Sequence, residues 1–190
     1  MMHDIAIIGA GPAGASAAIF TAKAGKKTLL IDNDKSMTKR AWIENHLGLP
    51  EGITGPDLVE AGKKHAKKFG AELVTDTVTD IVRNGEGFTL NTESGQRYEA
   101  RYIIITTGAA MTLAENVGLT MRDGTEPRIK TILDVEPDGR TSEPGIWAAG
   151  TAAGVSVHTI ITAGDGARVA INVLSEMNGE RYVDHDVLKN

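Results

Sequence analysis

The sequence predicts an α/β fold built on a central, mostly parallel sheet with an antiparallel three-stranded meander. Three observations carry that expectation. Residues 4–14, Asp-Ile-Ala-Ile-Ile-Gly-Ala-Gly-Pro-Ala-Gly, run an apolar strand into a glycine-rich turn and a small-residue helix; this is the strand–turn–helix unit of a Rossmann-like dinucleotide-binding domain. Residues 102–108, Tyr-Ile-Ile-Ile-Thr-Thr-Gly, and 144–150, Pro-Gly-Ile-Trp-Ala-Ala-Gly, are apolar runs ending in small residues, the pattern of buried parallel strands whose carboxyl ends face a ligand. Between residues 77 and 101, three shorter runs alternate around Asn84-Gly85-Glu86-Gly87 and Ser94-Gly95 and read as the meander.

Taken in order, the glycines of the first turn have separate tasks. Gly9 permits the tight turn, Gly11 lets the backbone approach a pyrophosphate, and Gly14 lets the helix lie close to the strand, so that diphosphate charge meets a helix N-terminus. The helix over 12–24 ends at Gly25, and the next strand, 28–31, delivers Asp32 eighteen residues past Gly14, at the spacing of an acid that binds ribose hydroxyls. A polar stretch over 33–40 leads into a loop over 41–50 in which Trp42 stands among turn residues as a candidate ligand contact. Pro56 and Asp57 start a helix that Gly70 stops, with Leu58, Val59, Ala61, Ala66 and Phe69 as its apolar positions and its lysines read as a solvated face. Residues 71–74 form a short strand before the meander strands 77–83, 88–92 and 97–101, and the buried strand of 102–108 presents Thr106, Thr107 and Gly108 at its carboxyl end. From 111 to 142 the pattern breaks at Gly118, Gly124, Pro127, Pro137 and Gly139, and only 129–135 is strand-like, so this stretch reads as irregular. After the last buried strand, whose Trp147 reads as core, a small-residue helix runs from about 159 to 177 and ends near Gly179; Asp165 reads as a residue of its surface.

Composition narrows the function classes. A chain of 190 residues, 41% hydrophobic and 24% charged, fits one α/β domain. No apolar run approaches the length of a membrane span and no basic segment precedes residues 5–8, so the expectation is a cytoplasmic protein without membrane contact. A net charge of −5 with interspersed lysines provides no cationic face for nucleic acid. The chain has no cysteine, which excludes disulfides, thiolate metal sites and thiol redox chemistry carried by its own side chains. His3, His46, His65 and His185 show no metal-ligand spacing, and no paired-carboxylate, Ser/His/Asp or Gly-x-Ser-x-Gly pattern points to hydrolysis.

Residues 9–14, the segment 44–56 (Glu-Asn-His-Leu-Gly-Leu-Pro-Glu-Gly-Ile-Thr-Gly-Pro), residues 106–109 (Thr-Thr-Gly-Ala) and residues 144–150 together resemble the FAD half of thioredoxin reductases. The resemblance covers about residues 4–110 and 129–182. It implies a single FAD-binding domain over 1–190, with the irregular stretch at about 111–128 standing where relatives insert an NADPH domain that carries a Cys-x-x-Cys pair. It also implies FAD as cofactor. Gly9, Gly11, Pro12, Ala13 and Gly14 then serve the pyrophosphate, Asp32 and Asn33 the adenosine ribose, Thr77 and Val78 the adenine, Thr106, Thr107 and Gly108 the Ala-Thr-Gly-like turn, and Asn45 the flavin side.

Three departures from the family pattern matter. The Gly-Gly-Gln-Leu segment used near the flavin is missing from the shortened 35–42 stretch, leaving Ala41 and Trp42 to occupy that space. The family's Gly-Asp is Gly150-Thr151, so a hydroxyl replaces the carboxylate that holds the ribityl chain. The family's Arg-Gln pair is Val157-His158, followed by Thr159, which makes His158 a candidate proton donor at the flavin pyrimidine edge, against the alternative of an exposed or structurally satisfied histidine. The functional expectation is an FAD-dependent oxidoreductase, by resemblance a homodimer, that receives electrons from a separate reductase or a small-molecule donor and does not by itself reduce thioredoxin. The alternative is a non-catalytic flavin- or nucleotide-binding module, favoured by the missing domain and by Thr151.

Overall fold

The computed structural model describes residues 1–184 and 186–188; His185 lies outside the described residues. Strand β1 (Met2–Ile8) is the centre of the sheet because it is apolar on both faces: Ile5, Ala6 and Ile7 are fully buried, and it pairs in parallel on one side with β2 (Thr28–Asp32) and on the other with β8 (Arg97–Ile105). β2 pairs in parallel with β5 (Glu72–Thr75), and β11 (Ile146–Ala148) pairs in parallel with the far side of β8, giving the parallel order β5-β2-β1-β8-β11. All five strands therefore end at the same edge, where the first turn, Asp32, Thr106 and Thr151 are collected.

The meander shares its last strand with this sheet. β6 (Val78–Asn84) and β7 (Gly87–Thr92) form an antiparallel hairpin, and β7 pairs with the first half of β8, Phe88 opposite Ala100 and Asn91 opposite Arg97. The second half of β8 pairs with β11, Ile146 opposite Ile103 and Ala148 opposite Ile105. The two strands expected at 97–101 and 102–108 are thus one. Nothing between Arg97 and Ile105 interrupts the ladder; what changes is the company, from a half-exposed alternation beside β7 to full burial between β1 and β11.

The alternation along β1 divides the core. Ile5 and Ile7 point to helices α1 (Pro12–Lys23) and α4 (Thr159–Asn178), joined there by Leu30, Ile104 and the fully buried Trp147. Ala6 and Ile8 point to the other face, with Leu29, Ile103, Phe88 and Leu90. Helix α2 (Gly55–Lys68) begins where the Thr54 hydroxyl accepts the Asp57 N–H at 3.2 Å and packs beside α1; the short antiparallel pair β3 (Trp42–Ile43) and β4 (Ile53–Thr54) precedes it. The stretch expected to be irregular is ordered into α3 (Thr112–Val117) and the hairpin of β9 (Met121–Asp123) and β10 (Thr131–Leu133). Gly118, left-handed at φ 76°, closes α3. These elements span six, three and three residues, too few for a hydrophobic period to register. No helix among the described residues is long and apolar enough to cross a membrane.

α1 and α4 cross in backbone contact. A Cβ on Gly166 would fall inside the Ala13 carbonyl, whereas Gly164, one half-turn earlier on the same helix, faces open space. Substitution by alanine should therefore have opposite signs at the two positions. Gly164→Ala is expected to stabilise by up to about 1 kcal/mol through helix propensity, and Gly166→Ala to destabilise by about 2–3 kcal/mol through forced separation of the helices. Urea midpoints of the two variants decide it; equal shifts would show that the crossing has slack.

Candidate dinucleotide-binding site

The carboxyl ends of the parallel strands open into a cleft of about 600 Å³, within the range of small-molecule sites. One wall is the turn between β1 and α1. Gly9 holds φ 103°, and a Cβ there would lie 2.6 Å from the Thr106 carbonyl oxygen, so no other residue fits without moving β8. Gly11 is the N-cap of α1 and makes no side-chain cap, with Pro12 directly after it. The first-turn amides thus have no side-chain partner and remain available to an anion. The only neighbour near a Cβ on Gly11 would be Ser36, its Oγ 3.1 Å away, so the cleft side of this turn is open.

Strand ends brace the turn. The Thr106 hydroxyl lies 2.9 Å from the Ile8 carbonyl and 2.8 Å from that of Gly9. Asp32, only 3% exposed, accepts the Ala10 N–H on Oδ1 at 3.0 Å. Its Oδ2 is buried, with Lys63 Nζ 2.6 Å away as its ion-pair partner. A buried carboxylate oxygen with lone pairs left beside an amide-lined turn suits hydroxyl donors of a ligand. At the same end, Asp76 follows β5, and hydrogen bonds from the Ser94 and Thr92 hydroxyls hold its carboxyl below the usual carboxylate range.

The structure brings together on this cleft Gly9, Gly11, Pro12, Ala13, Asp32 and Asn33 from the first two strand ends, Thr77 and Val78 from the start of β6, and Thr106, Thr107, Gly108 and Thr151 from the later strand ends. Gly14 lies behind the wall, where a Cβ would enter the Gly9 carbonyl, and Gly150 packs under it, a Cβ position 2.7 Å from Ala13 Cβ. The remaining residues gather outside the cleft. Trp42 is 59% exposed on β3, and Asn45 is exposed in the loop that follows. His158 is exposed at the N-terminus of α4 with Nδ1 2.7 Å from the Ser156 hydroxyl; Thr159 is buried and lies 2.9 Å from His46 Nδ1, which ties the Asn45 loop to the start of α4.

Two expectations about charged residues are corrected. Asp165 is buried, not on the helix surface: Oδ2 accepts the Gly150 N–H at 2.8 Å and Oδ1 the Arg168 Nε–H at 2.9 Å, so it fixes the turn that carries Thr151. Lys63 is not part of a solvated face, because its side chain is only 12% exposed. The signal for Lys63 was present in the sequence: it lies four residues after the buried Val59 and three before the buried Ala66, on the apolar stripe of α2. Among the described residues, no three His, Asp or Glu side chains form a metal-binding group.

The model of the pyridine nucleotide-disulphide oxidoreductase family matches residues 3–109 and 49–167. Among curated proteins, the thioredoxin reductase of Peptoclostridium acidaminophilum is 37% identical over 116 residues, 60% of this chain and 36% of that protein. The thioredoxin reductase of Aquifex aeolicus is 38% identical over 111 residues, 57% of this chain and 34% of that protein. The match thus spans about a third of the length of these relatives. Among solved structures, an atypical thioredoxin reductase from Desulfovibrio vulgaris Hildenborough superposes with a TM-score of 0.81 at 20% identity, covering 93% of this chain and 98% of that one. A ferredoxin-flavin thioredoxin reductase from Clostridium acetobutylicum does so with a TM-score of 0.75 at 21% identity, covering 94% and 98%. These structures share the fold.

Replacing Asp165 by alanine would leave the Gly150 N–H and the Arg168 guanidinium without their partner. A loss of about 2–3 kcal/mol in unfolding free energy is expected, the cost of breaking a buried charged hydrogen bond. Calorimetry of the ligand-free protein checks it; an unchanged Tm would mean that the turn is held by packing alone.

Proposed function

The chain belongs to the pyridine nucleotide-disulphide oxidoreductase family, and from that premise we propose that it is a flavoprotein oxidoreductase module whose cleft binds FAD. The observation that carries this reading is the glycine turn with an uncapped helix N-terminus on a cleft of about 600 Å³, with the Asp32 carboxylate, bound to the Ala10 N–H and paired with Lys63, at the end of the neighbouring strand. The residues present fit such a group. The turn from Gly9 to Ala13 would receive the diphosphate, Asp32 the ribose hydroxyls, and Thr77 and Val78 would flank the adenine. Thr151, held by the Asp165–Gly150 bond, would offer its hydroxyl to the ribityl chain. Bound there, FAD would supply hydride and single-electron chemistry at its flavin ring.

The chain's own residues bind, orient and exclude water. Asp32 and Thr151 are buried at the strand ends, and His158, its Nδ1 2.7 Å from the Ser156 hydroxyl and next in the chain to the cleft-lining Val157, is the candidate proton donor of this reading. With no cysteine, this chain moves no electrons through thiols of its own. Electrons then come from a separate reductase or a small-molecule donor and leave to an external acceptor; the working form is a cytoplasmic homodimer.

A second reading, a flavin- or nucleotide-binding module without turnover, is favoured by one observation: Trp42, Asn45 and His158 all sit outside the cleft, so its far end offers a flavin ring few contacts. The purified protein separates the two. A yellow protein bleached by NADH or NADPH and recoloured by an acceptor supports the oxidoreductase; a yellow protein inert to reductants supports the binding module. Gly11→Glu puts bulk and charge against the diphosphate position, where only Ser36 is near, and should lower FAD affinity by more than about a hundredfold while the fold is retained. Full flavin content in that folded variant would refute the placement.

A further inference from the structure

Lys63 belongs to α2 but delivers its ammonium to the end of β2, where Nζ lies 2.6 Å from Asp32 Oδ2 and 3.0 Å from Asp34 Oδ1. A lysine this buried is retained only with partners. Burial works against its charge, yet the two carboxylates outweigh burial and raise its pKa above the ordinary lysine value. Asp34 is a non-glycine residue in the left-handed region, φ 62°, and is gripped from the other side by Lys39 at 2.5 Å. Directly after it, Lys35, Ser36, Met37 and Thr38 line the cleft, and Ser36 Oγ stands over Gly11. One ammonium therefore restrains two things that face the same ligand half: the carboxylate of Asp32 and the strap over residues 34–38.

We infer that Lys63 is a positioning residue that makes the cleft selective for a nucleotide with both vicinal ribose hydroxyls. This rests on the nucleotide reading of the cleft and deepens it. A carboxylate offers about four lone-pair sites. The Ala10 N–H occupies one on Oδ1 and the Lys63 ammonium one on Oδ2, so Asp32 is fixed in rotation, with two of its lone-pair sites left for hydroxyl donors. Without Lys63 the carboxylate is braced by the Ala10 N–H alone, and rotation of its side chain removes its preference for a diol. Asp34 carries the other arm: it holds the strap over the nucleotide but does not touch the ribose acceptor, and asparagine tolerates its backbone conformation.

Calorimetric titration of the flavin-stripped chain with ADP and with 2′,3′-dideoxy-ADP tests the inference. The wild-type chain should prefer ADP about tenfold, a difference of about 1.4 kcal/mol. Lys63→Met should bring that ratio down to about two- to threefold, whereas a merely structural lysine would weaken both ligands and leave the ratio intact. Should Lys63→Met not fold, Lys63→Gln carries the same expectation. Asp34→Asn should weaken both nucleotides alike with the ratio kept; unaltered affinities there would remove the strap from the account. An undiminished ADP preference in the folded Lys63 variant overturns the inference and leaves the cleft reading standing. A wild-type chain that binds ADP with no preference over the dideoxy analogue removes the ribose role of Asp32 together with the inference, and one that binds neither nucleotide overturns the cleft reading itself.

Discussion

Backbone meets backbone on two sides of the turn after β1, and no side chain can be placed between them. Gly14 lies against the Gly9 carbonyl, Gly166 of α4 lies against the Ala13 carbonyl, and Gly150 packs on the Ala13 methyl. Because α1 is pressed at once onto its own strand and onto α4, its first-turn amides have a fixed direction. The polar groups at the strand ends then act on that one turn. Asp32 reaches it through the Ala10 N–H, Thr106 through the Ile8 and Gly9 carbonyls, and Asp165 through the Gly150 N–H beneath it. Were α1 to stand a methyl further out, these bonds would lose their length before any ligand arrived.

Two buried carboxylates in this small region have opposite uses. Asp165 has both oxygens bonded within the fold, to Gly150 and Arg168, and does not line the cleft, so its work is structural. Asp32 has one oxygen on the Ala10 N–H and the other paired with Lys63. Each buried anion is balanced by a nearby cation, as the cost of desolvation requires. Only the second lines the cleft. Burial alone therefore does not separate the two; their place relative to the cleft does.

The first strand, turn, helix, strand and acid were legible because each carries a local chemical signature: continuous burial, glycine at fixed intervals, and an acid at the strand end. Trp147 was legible as core for the same reason. The rest depended on pairing between distant residues. β8 looked like two strands because its neighbours change at about Tyr102, and a change of neighbours has no signature in the chain. α3 and the β9–β10 hairpin were hidden by their brevity. A charged residue on a helix is usually solvated; the place of Lys63 on the apolar stripe of α2 speaks against that for Lys63, whereas for Asp165 only its partner across the fold, Gly150, does. Trp42 is suggested by its loop and by the resemblance, Asn45 and His158 by the resemblance alone, and in the structure none of the three lines the cleft.

That leaves a cleft with unequal ends. At the β2 end, Lys63 and Lys39 pair with Asp32 and Asp34, and the strap that carries Ser36 lines the cleft. The end at α4 is bordered by exposed Val157, Ile160 and Ile161 and by an exposed imidazole. Under the proposed reading, the non-reacting nucleotide half supplies the affinity, and the reacting ring can then remain accessible without being lost to solvent. Binding energy gathered at a remote group is the usual means of holding a reactive group in place. On that same reading, a chain without thiols has no protein dithiol to relay electrons, so a bound flavin would exchange them directly with a donor or acceptor, and an accessible edge shortens that transfer.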